Sequence, residues 1–166
     1  MNKYLSLIPT LGLGLLAFGC SSNSNSNNDN SNSIDSNNSD SNNNWNNNVK
    51  SLVININGQP FNTILESNST VNSFLNLLPL SNLNMNDLNS NEKYIYLSET
   101  LNTNTYKPGI INAGDVMLYG NNCLVIFYKT FTSNYSYSKI GTIENVDELV
   151  DLLDTRNSVN VSIDFN

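Results

Sequence analysis

Histidine is absent from this chain of 166 residues, and cysteine occurs only twice. Without an imidazole the chain cannot form a Ser-His-Asp or Cys-His catalytic arrangement, or a zinc site of the usual histidine and cysteine type. Residues 81–92 carry amides and acids, but they lack the alternating oxygen ligands and central glycine of a calcium loop. We therefore expect no metal site, no cofactor and no catalytic residue.

Basic residues are also scarce. Seven Lys and Arg stand against 14 Asp and Glu, which gives a formal net charge of −7, and Arg156 is the only arginine. A chain of this charge attracts neither nucleic acid nor anionic lipid. The charge balance therefore excludes a nucleic-acid partner, and any contact with a membrane must have another origin.

The apolar run near the N-terminus, residues 4–18, is shorter than the about 20 residues that a spanning helix needs. It follows a positive start and ends in Leu16-Ala-Phe-Gly-Cys20. This pattern predicts a bacterial lipoprotein signal peptide over residues 1–19, with Cys20 as the lipidated first residue of an exported, membrane-held protein of the cell envelope. Plain secretion with a free Cys20 thiol and a retained membrane anchor are the alternatives, and which membrane holds the lipid stays open.

A polar segment follows the lipidation site. Residues 21–48 contain 14 Asn, nine Ser and three Asp, with Ile34 and Trp45 as the apolar exceptions. Such a composition buries too little surface to offset the entropy of ordering, so residues 20–49 are expected to form a disordered tether with a reach of about 30 Å. Trp45 is either a stray aromatic near the domain boundary or a residue that contacts the domain or a partner.

Residues 50–166 have the composition of one globular domain, which we expect to be a monomer. Cys123 has no partner once Cys20 carries lipid, so no disulfide is expected, and the apolar run around Cys123 indicates a buried structural thiol. The acidic residues of the last predicted helix lie opposite its apolar stripe and indicate a solvated face; they are Glu144, Asp147, Glu148 and Asp151.

Strand patterns dominate this domain. Residues 52–57 and 61–65 predict a hairpin joined by Gly58-Gln59-Pro60, residues 83–86 a strand with its amides outward, and residues 158–165 a cleanly alternating last strand. A second hairpin joins residues 115–119 to 122–128 through Gly120-Asn121, and its second arm is apolar on both faces, as in a closed or doubly covered sheet. A further strand is expected near residues 135–140.

Two short helices complete the pattern. Val71, Phe74, Leu75 and Leu78 have helical spacing, with Ser69 or Thr70 as the cap and Pro79 as the stop. The second helix is predicted to begin at Asn145, with Glu148 completing a capping box, and its apolar stripe comprises Val146, Leu149, Val150 and Leu153. Short strands with two helices and no parallel βαβ rhythm predict a mainly β fold, a small closed barrel with two short capping helices.

Several segments resemble bacterial proteins of the cyclophilin-like fold. These are Leu77-Leu-Pro-Leu80, residues 87–94 with Glu92-Lys-Tyr94, residues 108–115, residues 118–128, and Tyr135-Ser-Tyr137. The resemblance covers essentially all of residues 50–166. It implies a small barrel of the kind found alone, behind lipoprotein signals, or joined to flavodoxin-like domains.

The family name suggests peptidyl-prolyl isomerase activity. Cyclophilins ease rotation about the prolyl bond with an arginine set beside a Phe and a His. Here histidine is lacking, Arg156 lies in a turn after the last helix, and Lys129 is a poor substitute because an ammonium lacks the planar fork of a guanidinium. Nothing in the sequence matches the cyclophilin active site, so isomerase activity is not expected.

Aromatic residues are the remaining candidates for recognition, since tyrosine combines a flat apolar body with a polar tip. We therefore expect a non-enzymatic, membrane-tethered module that binds a protein, a peptide or a small ligand. The alternative is a diverged isomerase, or an accessory to a flavodoxin-like redox partner. The candidate ligand-binding residues are Tyr94, Tyr128, Phe131, Tyr135 and Tyr137.

Overall fold

The computed structural model describes residues 51–166. The expected signal peptide, the lipidation site Cys20, the tether of residues 20–49 and Trp45 lie outside the described residues. None of the helices within residues 51–166 is long and apolar enough to cross a bilayer.

The described part of the chain contains ten strands and two short helices. In chain order they are β1 (Ser51–Ile56), β2 (Gln59–Leu65), α1 (Ser69–Leu75), β3 (Leu80–Leu88), β4 (Glu92–Tyr96), β5 (Gly109–Ile111), β6 (Asp115–Tyr119), β7 (Cys123–Phe127), β8 (Phe131–Ser133), β9 (Tyr137–Ile143), α2 (Val146–Leu153) and β10 (Ser158–Phe165).

Eight of the strands form a closed antiparallel barrel in the order β1-β10-β3-β4-β7-β6-β9-β2. The other two, β5 and β8, pair with each other as a separate small sheet. Closure removes the exposed edges that an open sheet of this size would leave. The predicted mainly β barrel with two helices is therefore confirmed, while the β5–β8 sheet was not predicted.

The turn of the first hairpin begins one residue earlier and is one residue shorter than the sequence indicates. Asn57 and Gly58 both have positive φ, 51° and 87°, and the strands pair from Ile56 with Gln59 onward. Two successive left-handed residues make the tight turn that matches strand twist. Gln59 and Pro60 therefore belong to β2, and the prediction of a Gly58-Gln59-Pro60 turn is wrong in register.

The second hairpin is confirmed. Strands β6 and β7 pair from Tyr119 with Cys123 to Val116 with Ile126, and Gly120 in the turn has a φ of 61°. Every residue of β7 is buried, as the apolar sequence on both of its faces predicts. This strand separates two hydrophobic clusters, one inside the barrel and one outside it.

Helix α1 has a different cap from the prediction, whereas α2 begins where the sequence predicts, directly after Asn145. Asn68 caps α1, because its Oδ1 accepts a hydrogen bond from the Val71 backbone N–H at 2.9 Å, and the helix ends at Leu75, ahead of Pro79. Asn145 precedes α2 without a side-chain capping bond, and the Glu148 carboxylate instead accepts from Gln59 at 3.3 Å. The predicted capping box is therefore wrong.

The interior of the barrel holds one large core. It combines inward residues of the strands with Val71, Phe74 and Leu75 of α1 and with Leu149 and Leu153 of α2. The four acidic residues of the α2 region are exposed, as expected. Both helices therefore contribute apolar side chains to the interior, as capping helices do.

The barrel closes between β2 and β9 through a close backbone approach. Only three residue pairs join these strands, from Thr63 with Ile143 to Leu65 with Gly141. A Cβ atom on Gly141 would lie 2.4 Å from the Ile64 carbonyl oxygen. This position therefore excludes any side chain.

Candidate functional site

Six of the seven tyrosines within residues 51–166 lie on one outer face of the barrel. We call this surface the tyrosine face. The seven positions are spread over more than 40 residues of sequence, and the fold brings six of them together on β4, β6, β9 and the adjoining loops. The members of the tyrosine face are Tyr94, Tyr96, Tyr106, Tyr119, Tyr135 and Tyr137.

The face is organised by strand register. Across the barrel wall, Tyr96 pairs with Cys123, Cys123 with Tyr119, and Tyr119 with Tyr137, which also forms a bridge with Tyr106. Residues that pair directly across strands project to the same side of a sheet. These five residues therefore form a continuous row across the wall.

The rings of this face contact one another. The Tyr119 ring lies 5.5 Å from the Tyr137 ring and 6.0 Å from the Tyr135 ring, measured between centroids. Tyr94 and Tyr96 meet edge to face at 6.0 Å. Aromatic pairs at these distances and tilts stabilise each other by about 0.5–1.5 kcal/mol beyond their burial, so each ring holds its neighbour in place.

A second hydrophobic cluster supports the tyrosine face from below. Phe127 lies under the β5–β8 sheet, 5.7 Å from the Phe131 ring and 5.6 Å from the Tyr137 ring. Its other buried members are Ile111, Met117, Cys123 and Val125. The tyrosine face therefore rests on a packed layer, which limits the conformational freedom that a partner would have to remove on binding.

Four tyrosines of the face remain open to solvent. Tyr96 is 65% exposed, Tyr135 57%, Tyr119 44% and Tyr106 43%. Ile110 on β5 is exposed as well. The face thus presents rigid, amphipathic rings to solvent, the combination enriched at binding surfaces.

The ionisable groups of this face are not activated for nucleophilic chemistry. Burial, together with the charge of Glu92, raises the pKa of Cys123 to about 11, so the thiol stays protonated at neutral pH. The neighbouring Cys123 and burial raise the pKa of Tyr96, and burial raises the pKa of Tyr106 and Tyr137. Cys123 is buried and free, consistent with a structural thiol.

Glu92 lies at the other end of β4, on the same side as Tyr94 and Tyr96. Burial and the charge of Asp87 raise its pKa from 4.5 to about 7. The folded protein therefore binds this proton more tightly than the unfolded chain does. Between about pH 4.5 and pH 7 the unfolded chain has lost the proton while the folded protein keeps it, so stability falls as the pH rises through this window.

We expect Glu92→Gln to gain stability relative to the parent protein as the pH is raised from about 5 to about 8, because Gln has no proton to lose. Urea midpoints of the two proteins at several pH values measure this difference. Glu99→Gln, at an exposed position outside the barrel strands, is the control and should follow the parent. A constant difference between Glu92→Gln and the parent at all pH values would contradict the assigned shift.

A cluster of polar side chains lies inside the barrel, on the opposite side of β4 from the tyrosine face. Lys93 is fully buried; its Nζ donates to the Asp87 carboxylate and to the Arg156 carbonyl oxygen, and lies 4.6 Å from the centre of the Tyr128 ring. The Tyr128 hydroxyl donates to Asp87 at 2.6 Å, and the Ser90 backbone N–H donates to the same carboxylate. We call Asp87, Lys93 and Tyr128 the interior triad.

The interior triad is fully paired, and this pairing affects the pKa values of Asp87 and Tyr128. Burial alone would raise the pKa of Asp87, but hydrogen bonds from Lys93, Tyr128 and the Ser90 backbone lower it below its ordinary value. Burial and the bond to Asp87 raise the pKa of Tyr128. Asp87 therefore stays charged and Tyr128 stays protonated at neutral pH, which suits a structural anchor better than a proton-transfer site.

The structure brings together four of the five candidate residues expected from the sequence. Tyr94, Phe131, Tyr135 and Tyr137 lie on or against the tyrosine face. Tyr128 lies inside the barrel and joins the interior triad instead. Three members of the face were not among the candidates, namely Tyr96, Tyr106 and Tyr119.

The two basic residues weighed for isomerase chemistry lie elsewhere. Lys129 forms an ion pair with Asp154 at 2.6 Å, and the Arg156 Nε donates to the Leu152 carbonyl oxygen at 3.0 Å. Cys123 of the row is the first residue of β7, and Lys129 lies two residues beyond Phe127, the last one, which is about 13 Å along the strand from Cys123. Neither residue is therefore placed to act on a ligand held by the row of tyrosines.

Within residues 51–166, no three carboxylate or thiol side chains come together as a group that could hold a metal ion. Lys139 instead links two of the carboxylates, at 3.0 Å from Asp115 and 3.8 Å from Glu66. These acids are therefore used in ion pairs beside the tyrosine face.

Comparison with known proteins was made at three levels. No curated protein matches the chain. The solution structure of a hypothetical protein from Archaeoglobus fulgidus aligns with a TM-score of 0.46 and 16% identity, over 71% of this chain and 96% of that one. The model of the cyclophilin-like family matches residues 54–164, which is nearly the whole barrel. The chain therefore belongs to the cyclophilin-like family.

Proposed function

We propose that this protein is an exported lipoprotein whose barrel is a non-enzymatic binding module, with the tyrosine face as its binding surface. The observation that carries the proposal is the convergence of six tyrosines on one supported face, four of them exposed. Exposed hydrophobic groups that a monomer gathers on one surface usually mark an interaction site. Tyrosine is favoured there because its ring offers much contact area with few torsions to fix.

The chemistry of the face supports binding over catalysis. Its thiol has a raised pKa, and Lys129 and Arg156 lie away from it in other contacts. A nucleophile needs a lowered pKa or an adjacent base. No group of the tyrosine face has a lowered pKa, and Glu92, whose pKa is raised, lies at the opposite end of β4 from Tyr96. The face offers a rigid surface instead.

The anchoring part of the proposal comes from the sequence. Residues 1–19 have the pattern of a lipoprotein signal, and Cys20 would carry the lipid that holds the protein at the membrane of the bacterial envelope. Residues 20–49 would then connect the lipid to the barrel. The net charge of −7 favours a partner other than nucleic acid.

Site-directed photocrosslinking of the full chain in exporting cells tests this proposal. A photoreactive residue at Tyr135 should give a defined adduct, whereas the same residue at Ile64 should not; the two positions are 57% and 54% exposed. The adduct should be found with the membranes and should become soluble when Cys20→Ala removes the lipidation site. Because Tyr135 and Ile64 are almost equally exposed, a difference in crosslinking between them cannot come from exposure alone.

Two results would overturn the proposal. Equal crosslinking from both positions, or none from Tyr135, would remove the tyrosine face as the binding surface. Acceleration of prolyl isomerisation that is lost in Lys129→Ala or Arg156→Ala would replace the binding module with an enzyme.

A further inference from the structure

The exposed tyrosines of the row recur at every second position. Tyr96, Tyr119 and Tyr106 are open to solvent, while Cys123 and Tyr137 between them are buried. Neighbouring strands lie about 4.8 Å apart, so the backbone positions that carry the exposed rings are spaced by about 9.6 Å. A ligand that uses this row must offer a flat apolar face with that repeat.

The rim of the row is rich in amides and hydroxyls. Asn104 and Thr105 are exposed beside Tyr106, and the Asn104 backbone N–H donates to the Ser138 hydroxyl at 2.9 Å, which fixes this loop against β9. The Leu101 backbone N–H donates to the Asn121 carbonyl oxygen at 2.7 Å, which brings the same loop to the β6–β7 turn. Further exposed polar residues of these segments are Asn102, Thr103, Asn121, Asn134 and Ser136.

The charges around the row of tyrosines limit the class of ligand that the row can bind. In the segments of residues 97–108, 120–122 and 134–136 the ionisable side chains besides tyrosine are Glu99 and Lys107, which are of opposite sign. The charges nearest Tyr106 also offset one another, because Lys139 pairs with Asp115 and Glu66. The chain as a whole carries −7 and repels polyanions. The complement of such a surface is a neutral ligand with many hydrogen-bonding groups.

Resting on the binding role proposed above, we propose that the tyrosine face binds a neutral β-1,4-linked glycan of N-acetylated sugars. The C–H face of a pyranose ring packs on a tyrosine ring, and its hydroxyl and acetamido groups can pair with the amides of the rim. In an extended β-1,4-linked chain every second sugar presents the same face. The length of two sugars is close to the spacing of alternate strands, so successive equivalent sugars meet successive exposed rings.

A proline-rich peptide would match the spacing of the row equally well, because a polyproline helix repeats after three residues, at about 9.3 Å. Such a peptide has no N–H donor at proline, so the amide oxygens and hydroxyl acceptors of the rim would face groups that cannot donate. A sugar chain carries both donors and acceptors. The composition of the rim therefore favours the glycan.

Titration calorimetry of the full chain in detergent micelles tests the inference, with chitohexaose as the probe and maltohexaose as the α-linked control. We expect chitohexaose to bind more tightly than chitobiose, which reaches one ring only, and maltohexaose not to bind. Tyr96→Ala or Tyr119→Ala should weaken the hexaose about tenfold or more, to the affinity of the disaccharide. Tyr119→Phe should keep the affinity within about threefold, because the ring remains, and Ile64→Ala is the exposed control.

The possible failures are distinguishable. No chitohexaose binding, or binding of a decaproline peptide in its place, overturns the glycan while leaving a Tyr135 photoadduct to support the binding module. Chitohexaose binding that is unchanged in both alanine variants overturns the glycan inference and the tyrosine face together. If maltohexaose bound as tightly as chitohexaose, the inference that the spacing of the tyrosines selects a β-1,4-linked chain would be wrong.

Discussion

Asp87→Asn is expected to destabilise the barrel by about 3–5 kcal/mol, because it leaves a buried ammonium without its counter-ion. Lys93 is 0% exposed, and it would keep only neutral acceptors, the Arg156 carbonyl oxygen and the new side-chain amide. The Tyr128 hydroxyl would also lose its charged acceptor, a bond of 2.6 Å in the parent. Urea unfolding of the full chain, followed by circular dichroism, measures the loss.

The double variant Asp87→Asn with Lys93→Met separates charge from packing. Methionine fills much of the apolar volume of the lysine stem without a charge, so the double variant should recover most of the stability lost in the single one. Asp164→Asn, at an exposed position on β10, is the matched control and should be close to neutral. Equal losses in the single and double variants would assign the effect to the hydrogen bonds of Asp87 instead.

The ion pair between Asp87 and Lys93 also makes the stability of the protein depend on pH in the acid range. The pKa of Asp87 is lower in the folded protein than its ordinary value of 3.8. Its contribution to stability is therefore complete above about pH 4 and is lost as the pH falls through the folded pKa. This acid-side loss should be absent in the Asp87→Asn variant.

Gly141→Ala is expected to destabilise the protein by about 3 kcal/mol or more, because the new methyl group would overlap backbone. A Cβ atom there would lie 2.4 Å from the Ile64 carbonyl oxygen and 3.2 Å from its carbon. These backbone atoms of Ile64 cannot rotate away from the new methyl group as a flexible side chain could. Thermal and urea unfolding of the full chain report the cost.

Gly58→Ala provides the control for a lost glycine without a steric clash. Gly58 has a φ of 87° and open space around the Cβ position, so its replacement should cost only the about 1–2 kcal/mol of a left-handed alanine. If Gly141→Ala cost no more than Gly58→Ala, the contact between β2 and β9 would have to yield easily, contrary to the tight closure described above.

The sequence predicts those parts of the fold whose periodicity reflects burial directly. Val159, Val161 and Ile163 alternate along β10 because one face of that strand meets the core, and the bounds of the strand were correct. Strand β4 does not follow this relation between periodicity and burial. Lys93 is buried inside the barrel, although a lysine in the sequence indicates a solvent-facing position. Strands β5 and β8 have three residues each, too few for any period to show.

The tyrosine face was predictable only in part, for a related reason. Tyr94 and Tyr96 are two residues apart and must share a side of β4, so their association is visible in the sequence. Tyr128 follows β7, whose two faces are equally apolar, so the sequence cannot show which side that ring takes. Tyr106 joins the row through a single bridge to Tyr137, a contact between a loop and the distant strand β9 that no local pattern encodes.

The strand order of the barrel also sets how far the tyrosine face lies from the N-terminal end of the described chain. The described chain enters the wall at Ser51 on β1, and β1 lies four strands from β7 in either direction around a ring of eight. The tyrosine face, centred between β7 and β6, is therefore on the far side from the point of entry. A barrel held at β1 would turn its tyrosines away from the attachment point, with its own diameter as the spacer.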